Sequence, residues 1–206
     1  MSKRFLYKIK IIVLLTVVTL ILTGEQGGDL LNSNKSLDGA VITLQGDIDG
    51  DGCNEEYILK EGCLIVIEEG RIIWRTEGEW KVDSFTLGDV NNDGKDNLTM
   101  ALWKKGSFGI HKPFWHEEED DSYKNHLFVY KYENKAFKPL WCSSELAKPI
   151  VSFEILDIDG DGLNGIKVIE GSYIESSEGI YAIDNGNRVP PKSSLWQWDE
   201  WGFRAK

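Results

Sequence analysis

GDIDGDGCNEEYIL, residues 46–59, sets Asp47, Asp49 and Asp51 on alternate residues, follows them with Gly52, and then turns apolar. Two other stretches repeat the plan: DVNNDGKDN at 89–97 and DIDGDGLNG at 157–165. Each offers oxygen side chains at loop positions 1, 3 and 5 and a glycine at position 6. A chain curling around an ion can turn residues 1, 3 and 5 inward, while glycine at 6 permits the sharp bend that brings a later carbonyl round. Ca²⁺ takes about six to eight oxygens at roughly 2.3–2.6 Å, and such a loop supplies them. Without an ion the carboxylates would repel one another. A helix–loop–helix calcium site also needs a bidentate Glu at position 12. That position holds Ile58, Met100 and Val168 here, all in strand-like runs, so that alternative fails. The closing side chain falls instead at position 9: Glu55, Asn97 and, without any side chain, Gly165. The third loop is therefore expected to bind weakest.

The surroundings of the loops predict strands. Ala40–Leu44, Glu56–Lys60, Leu64–Glu68, Arg71–Arg75, Val82–Leu87, Leu98–Trp103, His126–Tyr132, Ala136–Trp141, Ile150–Leu156, Ile166–Glu170 and Gly179–Ile183 are short runs rich in β-branched and aromatic residues, punctuated by Gly, Asn and Asp. Past the N-terminal segment, helical character is confined to a single expected turn near Ser143–Lys148. The fold class is all-β. IIWRTEGEWKVDSFTLGDVNNDGKDNLTMAL from Ile72 also aligns with PLWCSSELAKPIVSFEILDIDGDGLNGIKVIEG from Pro139, matching Trp74 to Trp141. The loops start at 47, 89 and 157, so the spacings are 42 and 68 residues. The surplus of about 26 residues approximates the charged stretch 104–125, read as an insertion in a unit of about 42 residues, the length of a four-stranded propeller blade.

These loops between strands, with Trp-bearing strands ahead of them, resemble the FG-GAP, VCBS and integrin-α-like calcium-binding β-propeller repeats of extracellular and bacterial surface proteins. The resemblance spans roughly residues 38–203. It implies a small propeller-like array of about three to four four-stranded blades, with Ca²⁺ held in hairpin loops at one end of each blade. It further implies ligation by positions 1, 3, 5 and 9 and by the position 7 carbonyl. Those ligands are Asp47, Asp49, Asp51, the Cys53 carbonyl and Glu55; Asp89, Asn91, Asp93, the Lys95 carbonyl and Asn97; and Asp157, Asp159, Asp161 and the Leu163 carbonyl. The chain has room for only about three units, fewer than the ~4–8 blades of most propellers. Either the array is small, or two chains complete a ring as a homodimer. The terminal LWQWDEWGF, residues 195–203, is expected to pair beside the first strand and close the array.

The chain has 206 residues and a formal net charge of −11. Lys3, Arg4, Lys8 and Lys10 all precede the first acidic residue, Glu25, so residues 25–206 carry −15. Such a body repels nucleic acid and anionic lipid and attracts cations. Residues 1–24, basic and then apolar from Ile11 to Leu22, have the layout of a signal peptide or an N-terminal membrane anchor. Residues 25–37 form a polar linker, and 38–206 the repeat domain. Either reading of residues 1–24 exports the body, and membrane contact is confined to that segment. If Glu61-Gly62 forms a two-residue turn, Cys53 faces Gly70, which argues against a Cys53–Cys63 bridge. The spacing of His111, His116 and His126 around HEEEDD fixes no metal geometry and reads as a solvated loop. Trp74 and Trp141 read as blade packing, and Trp115, in the polar insertion, as the residue placed to touch a ligand. No nucleophile elbow or metalloprotease motif is present. The expected function is a non-enzymatic surface binding or scaffold module for an extracellular protein or glycan. A lectin-like module for cell-wall or capsule carbohydrate is the alternative, ahead of a hydrolase.

Overall fold

The computed structural model describes residues 41–115, 120–175, 181–184 and 191–206. The segments 1–24 and 25–37 lie outside them, as does His116. The described residues form strands and connections with no helix. Three four-stranded antiparallel sheets carry the fold. The first holds β1 (Val41–Gly46), β2 (Glu55–Lys60), β3 (Cys63–Glu68) and β4 (Arg71–Arg75). The second holds β5 (Lys81–Gly88), β6 (Asn97–Lys105), β7 (Tyr123–Tyr132) and β8 (Phe137–Cys142). In both, consecutive strands are neighbours. The third sheet holds β9 (Ile150–Leu156), β10 (Gly165–Glu170), β13 (Lys192–Asp199) and β14 (Gly202–Ala205), with a separate hairpin, β11 (Ser172–Glu175) and β12 (Tyr181–Asp184), between its second and third strands.

The turns follow from local chemistry. Glu61 and Gly62 both have positive φ, 52° and 77°, as the favoured two-residue hairpin turn requires. The β2–β3 register that results pairs Lys60 with Cys63 and Tyr57 with Val66. Cys53 is thus kept from Cys63, and Cys53, Cys63 and Cys142 are free thiols.

The second sheet lies between the other two. Strand β2 alternates, burying Glu55, Tyr57 and Leu59 on one face. Strands β6 and β7 are buried on both faces. Leu98, Met100, Leu102 and Phe128 join Tyr57, Leu64 and Val66 of the first sheet in one core, while Ala101, Leu127 and Val129 join Ile166 and Val168 of the third in another. The recurrent tryptophans close these seams. Trp74 on β4 lies 5.4 Å from the Tyr130 ring and 5.2 Å from Phe137 of the second sheet. Trp141 on β8 lies 5.1 Å from Phe203 of the third. Both are packing residues, as their recurrence suggests.

Three expectations are corrected. The terminal segment does not pair with β1. It supplies β13, which pairs with β10 and β14, because the third sheet needs its own third and fourth strands; β1 pairs only with β2 among the described residues. The single helical turn is absent. Ser143, Glu145 and Leu146 belong to an irregular connection, their N–H groups donating to Leu127 O (3.1 Å), Ser107 O (2.7 Å) and Asn125 O (3.0 Å). His126 is buried instead of solvated, its ring nitrogens 3.1 Å from Ser143 O and 3.2 Å from Gly106 O. Burial outweighs those carbonyls and holds its pKa below the usual value.

The charged stretch 104–125 connects β6 to β7, and its ends are strand, Lys105 pairing with Tyr123. Asp120 staples its base by accepting the Ser107 and Ser122 hydroxyl hydrogens, which draw its carboxyl down to about 2.

Candidate metal centre

All three acidic loops join the first and second strands of a sheet: β1–β2, β5–β6 and β9–β10. The first strands approach one another at the loop ends. A Cβ on Gly46 would collide with Leu87, and one on Gly88 would sit 3.1 Å from Ile155, so glycine directly before position 1 lets the next sheet close up.

Within each loop the position 1 Asp folds the backbone around itself. Asp47 Oδ1 accepts the N–H of Gly50 (2.7 Å) and Asp51 (3.1 Å), and Oδ2 that of Gly52 (2.9 Å). Asp89 accepts from Asp93 (3.1 Å) and Gly94 (2.8 Å). Asp157 accepts from Gly160 (2.8 Å) and Gly162 (2.9 Å). The position 5 carboxylate takes the N–H of residue 7 in every loop: Asp51 from Cys53 (2.7 Å), Asp93 from Lys95 (3.0 Å) and Asp161 from Leu163 (2.8 Å). These bonds require left-handed backbone at position 6, as anticipated, and at position 4, which was not: Gly50, Asn92 and Gly160 have φ of 76°, 59° and 75°.

The loops differ where a cation would sit. Side-chain oxygens of Asp47, Asp49 and Glu55 lie within 4.8 Å of one another, as do those of Asp157, Asp159 and Asp161. A second trio, Asp49, Asp51 and Glu68, enlists the end of β3, a residue that loop spacing could not reveal. In the second loop Asn91 Nδ2 donates to Asp93 Oδ2 (3.0 Å), leaving Asn91 Oδ1 buried without a hydrogen-bond partner. A buried carbonyl oxygen without a donor is costly. A cation bound at position 3 would satisfy it, so an all-oxygen donor set with one orphaned oxygen fits Ca²⁺.

Position 9 has a second duty. Glu55 Oε2 accepts the Ile48 N–H (2.9 Å) and Asn97 Oδ1 the Val90 N–H (3.2 Å), so each side chain ties its strand to loop position 2. Ile48 and Val90 are buried in consequence, whereas Ile158, opposite Gly165, is 42% exposed. The third loop is further distinguished by Lys206, whose Nζ lies 3.2 Å from Asp159 Oδ2. That ammonium holds the Asp159 carboxyl below its usual pKa. A cation entering the third loop would have to displace it.

No protein-family model matches the chain, and no curated protein or solved structure matches it.

Loops two and three are physically joined. Asn92 Oδ1 accepts the Asn164 N–H (2.7 Å), Asn92 Nδ2 donates to Asn164 O (3.1 Å), and Asn164 Nδ2 donates to Asp89 O (2.9 Å). Replacing Asn92 by Gly, the residue at position 4 of the other two loops, keeps the left-handed backbone and deletes two of these bonds. Asn92→Gly is expected to lower stability by about 1–2 kcal/mol, measured by chemical denaturation; an unchanged midpoint would show the bonds to be inconsequential.

Glu55 is 1% exposed, and burial pushes its pKa above the usual 4.5 despite the Ile48 N–H, with Asp49 and Asp47 pushing the same way. A raised carboxyl pKa favours the folded state below pH 4.5, and that contribution fades as pH rises through the folded value. In chelator, Glu55→Gln is therefore expected to be more stable than wild type at pH 7, the gap closing as the buffer is taken toward pH 4.5. Parallel pH–melting curves for the two proteins would contradict this.

Proposed function

We propose that the chain is an exported, calcium-stabilised binding module whose three sheets are blades of a small propeller-like array. The observation that carries the calcium reading is the orphaned Asn91 Oδ1, at the position where the loop pattern calls for a ligand. The common strand order, the acidic loop between first and second strands, and the fourth-strand tryptophan seated on the next sheet support the blade reading. Asp47, Asp49, Asp51 and Glu55 would hold one ion with the Cys53 carbonyl, and Asp89, Asn91, Asp93 and Asn97 another with the Lys95 carbonyl. Asp157, Asp159, Asp161 and the Leu163 carbonyl would form the weakest site. Ca²⁺ in this role neutralises the carboxylates and fixes the loops; no catalytic step is assigned. The basic-then-apolar N-terminus supports export, to a compartment rich in calcium.

Calcium titration by calorimetry tests this. Two sites in the ~0.1–1 mM range of extracellular modules are expected, with a weaker third; absence of any heat at 10 mM would refute the reading.

The partner would be an extracellular protein, a glycan or a second copy of the chain. The outward face of the first sheet supports an assembly role: Val41 is 49% and Ile72 61% exposed, beside half-buried Ile58 and Ile65. A glycan is favoured by the connection between β6 and β7, where Phe114 (92% exposed) and Trp115 (72%) meet edge to face at 4.9 Å. Loss of glycan-array binding in Trp115→Ala would assign the glycan to this aromatic pair; retention would exclude the pair as its site.

A further inference from the structure

The hairpin joining β13 to β14 turns on two residues, Glu200 and Trp201, with Asp199 paired to Gly202. Glu200 takes φ 52° and the Trp201 N–H lies 2.5 Å from Asp199 O, which sets Trp201 at the apex, 80% exposed. Beneath it opens a cleft of about 320 Å³ lined by Trp141, Asp199, Trp201, Gly202, Phe203 and Arg204. This volume reaches the lower end of the ~300–1,000 Å³ typical of small-ligand sites.

Each wall has a distinct chemistry. Phe203 is wedged between Trp141 (5.1 Å, 75°) and Trp198 (5.2 Å, 84°), so the floor is a fixed aromatic surface. Gly202 permits this arrangement, since a Cβ there would stand 2.8 Å from Trp141 Nε1. The Trp141 indole N–H lies against Gly202, a residue of the cleft wall, and is not among the buried polar atoms left without a partner. At the rim Arg204 and Asp199 form an ion pair, with 76% and 46% of their side chains exposed.

We propose that this cleft binds a neutral sugar ring of an oligosaccharide, stacked on Trp201 and hydrogen-bonded to Asp199 and Arg204. The C–H face of a pyranose is apolar and weakly positive, and it complements the negative face of an exposed indole. Its edge carries hydroxyls that both donate and accept, which Asp199 and Arg204 answer with an acceptor and a donor side by side. The paired charges cancel, so the rim attracts neither an anion nor a cation. A body carrying −15 from residue 25 onward adds repulsion against uronic acids and sulfated glycans. The site lies where β13 and β14 of the third sheet meet Trp141 of β8, is distinct from the Phe114–Trp115 pair on the β6–β7 connection, and does not depend on the calcium reading.

Saturation-transfer NMR and calorimetry with cellotetraose, chitotetraose and maltotetraose, and with tetragalacturonate as the anionic comparison, test this on the full chain. At least one neutral tetrasaccharide is expected to bind, about tenfold more weakly to Trp201→Ala and only a few-fold more weakly to Trp201→Phe, which retains a ring. Trp201 is largely exposed, so both variants should melt with the wild type, and the melt establishes that they are folded. No binding to any neutral member, affinity indifferent to Trp201→Ala, or a preference for tetragalacturonate would overturn the proposal. Repeating the titration in calcium and in chelator separates it from the metal reading: equal sugar binding in both supports a site independent of the metal, and binding lost in chelator overturns that independence.

Discussion

In calcium the protein is expected to melt well above its midpoint in EDTA. A site of Kd ~0.1–1 mM in 10 mM calcium adds RT ln(1 + [L]/Kd), about 1.4–2.7 kcal/mol. For a chain of this size that converts to roughly 3–11 °C per site. The source of the gain is physical: the carboxylates of Asp47, Asp49 and Glu55 crowd within 4.8 Å, an arrangement whose repulsion a divalent ion cancels. Asp49→Ala is the informative variant. Asp49 belongs to both acidic trios of the first loop, while among the described residues its side chain accepts a single loop N–H, that of Asp51 at 3.1 Å. It should melt near wild type in EDTA and lose about one site's share of the calcium shift. Superimposable melts with and without calcium would remove the metal from the account.

The largest destabilisation is expected from Phe128→Ala. Phe128 is fully buried on β7, with Trp80 edge-on at 5.1 Å and His126 at 5.6 Å. Deleting a core Phe costs about 3–5 kcal/mol through lost burial and the cavity left behind. The second sheet is packed on both faces, so neither neighbour can collapse freely into the gap. Denaturation should show the full loss as one transition, whereas a loss under 1 kcal/mol would mean that the seam between the first two sheets repacks. Ile72→Ala, 61% exposed on the outer face of the first sheet, should be nearly neutral by comparison.

The contrast between these strands also explains what could be read without the fold. Strands β2 to β4 announce themselves through alternation and the Glu61-Gly62 turn, because one face of that sheet is buried and the other is not. The acidic loops are legible because their chemistry is local, confined to nine consecutive residues. Other features arise only when distant segments meet. Glu68 joins Asp49 and Asp51 through sheet pairing, and Lys206 reaches Asp159 from the far end of the chain. The place of the closing strands in the third sheet is not legible locally, because the β11–β12 hairpin separates them from β10 and strand propensity does not specify which edge a strand joins. His126 follows a polar run and looks wet; the Ser143 and Gly106 carbonyls that bury it come from 17 and 20 residues away.

The grip of Asn164 on the loop before it gives the stack a direction. Asn54 holds the same place in the first loop, exposed, with no earlier loop ahead of it among the described residues. The second loop carries Asp96 at that place, whose side chain has no amide hydrogen to donate, so this tie has no counterpart between loops one and two among the described residues. The second and third sheets are therefore latched at their loop ends by side-chain amides, while the first and second rely on packing there.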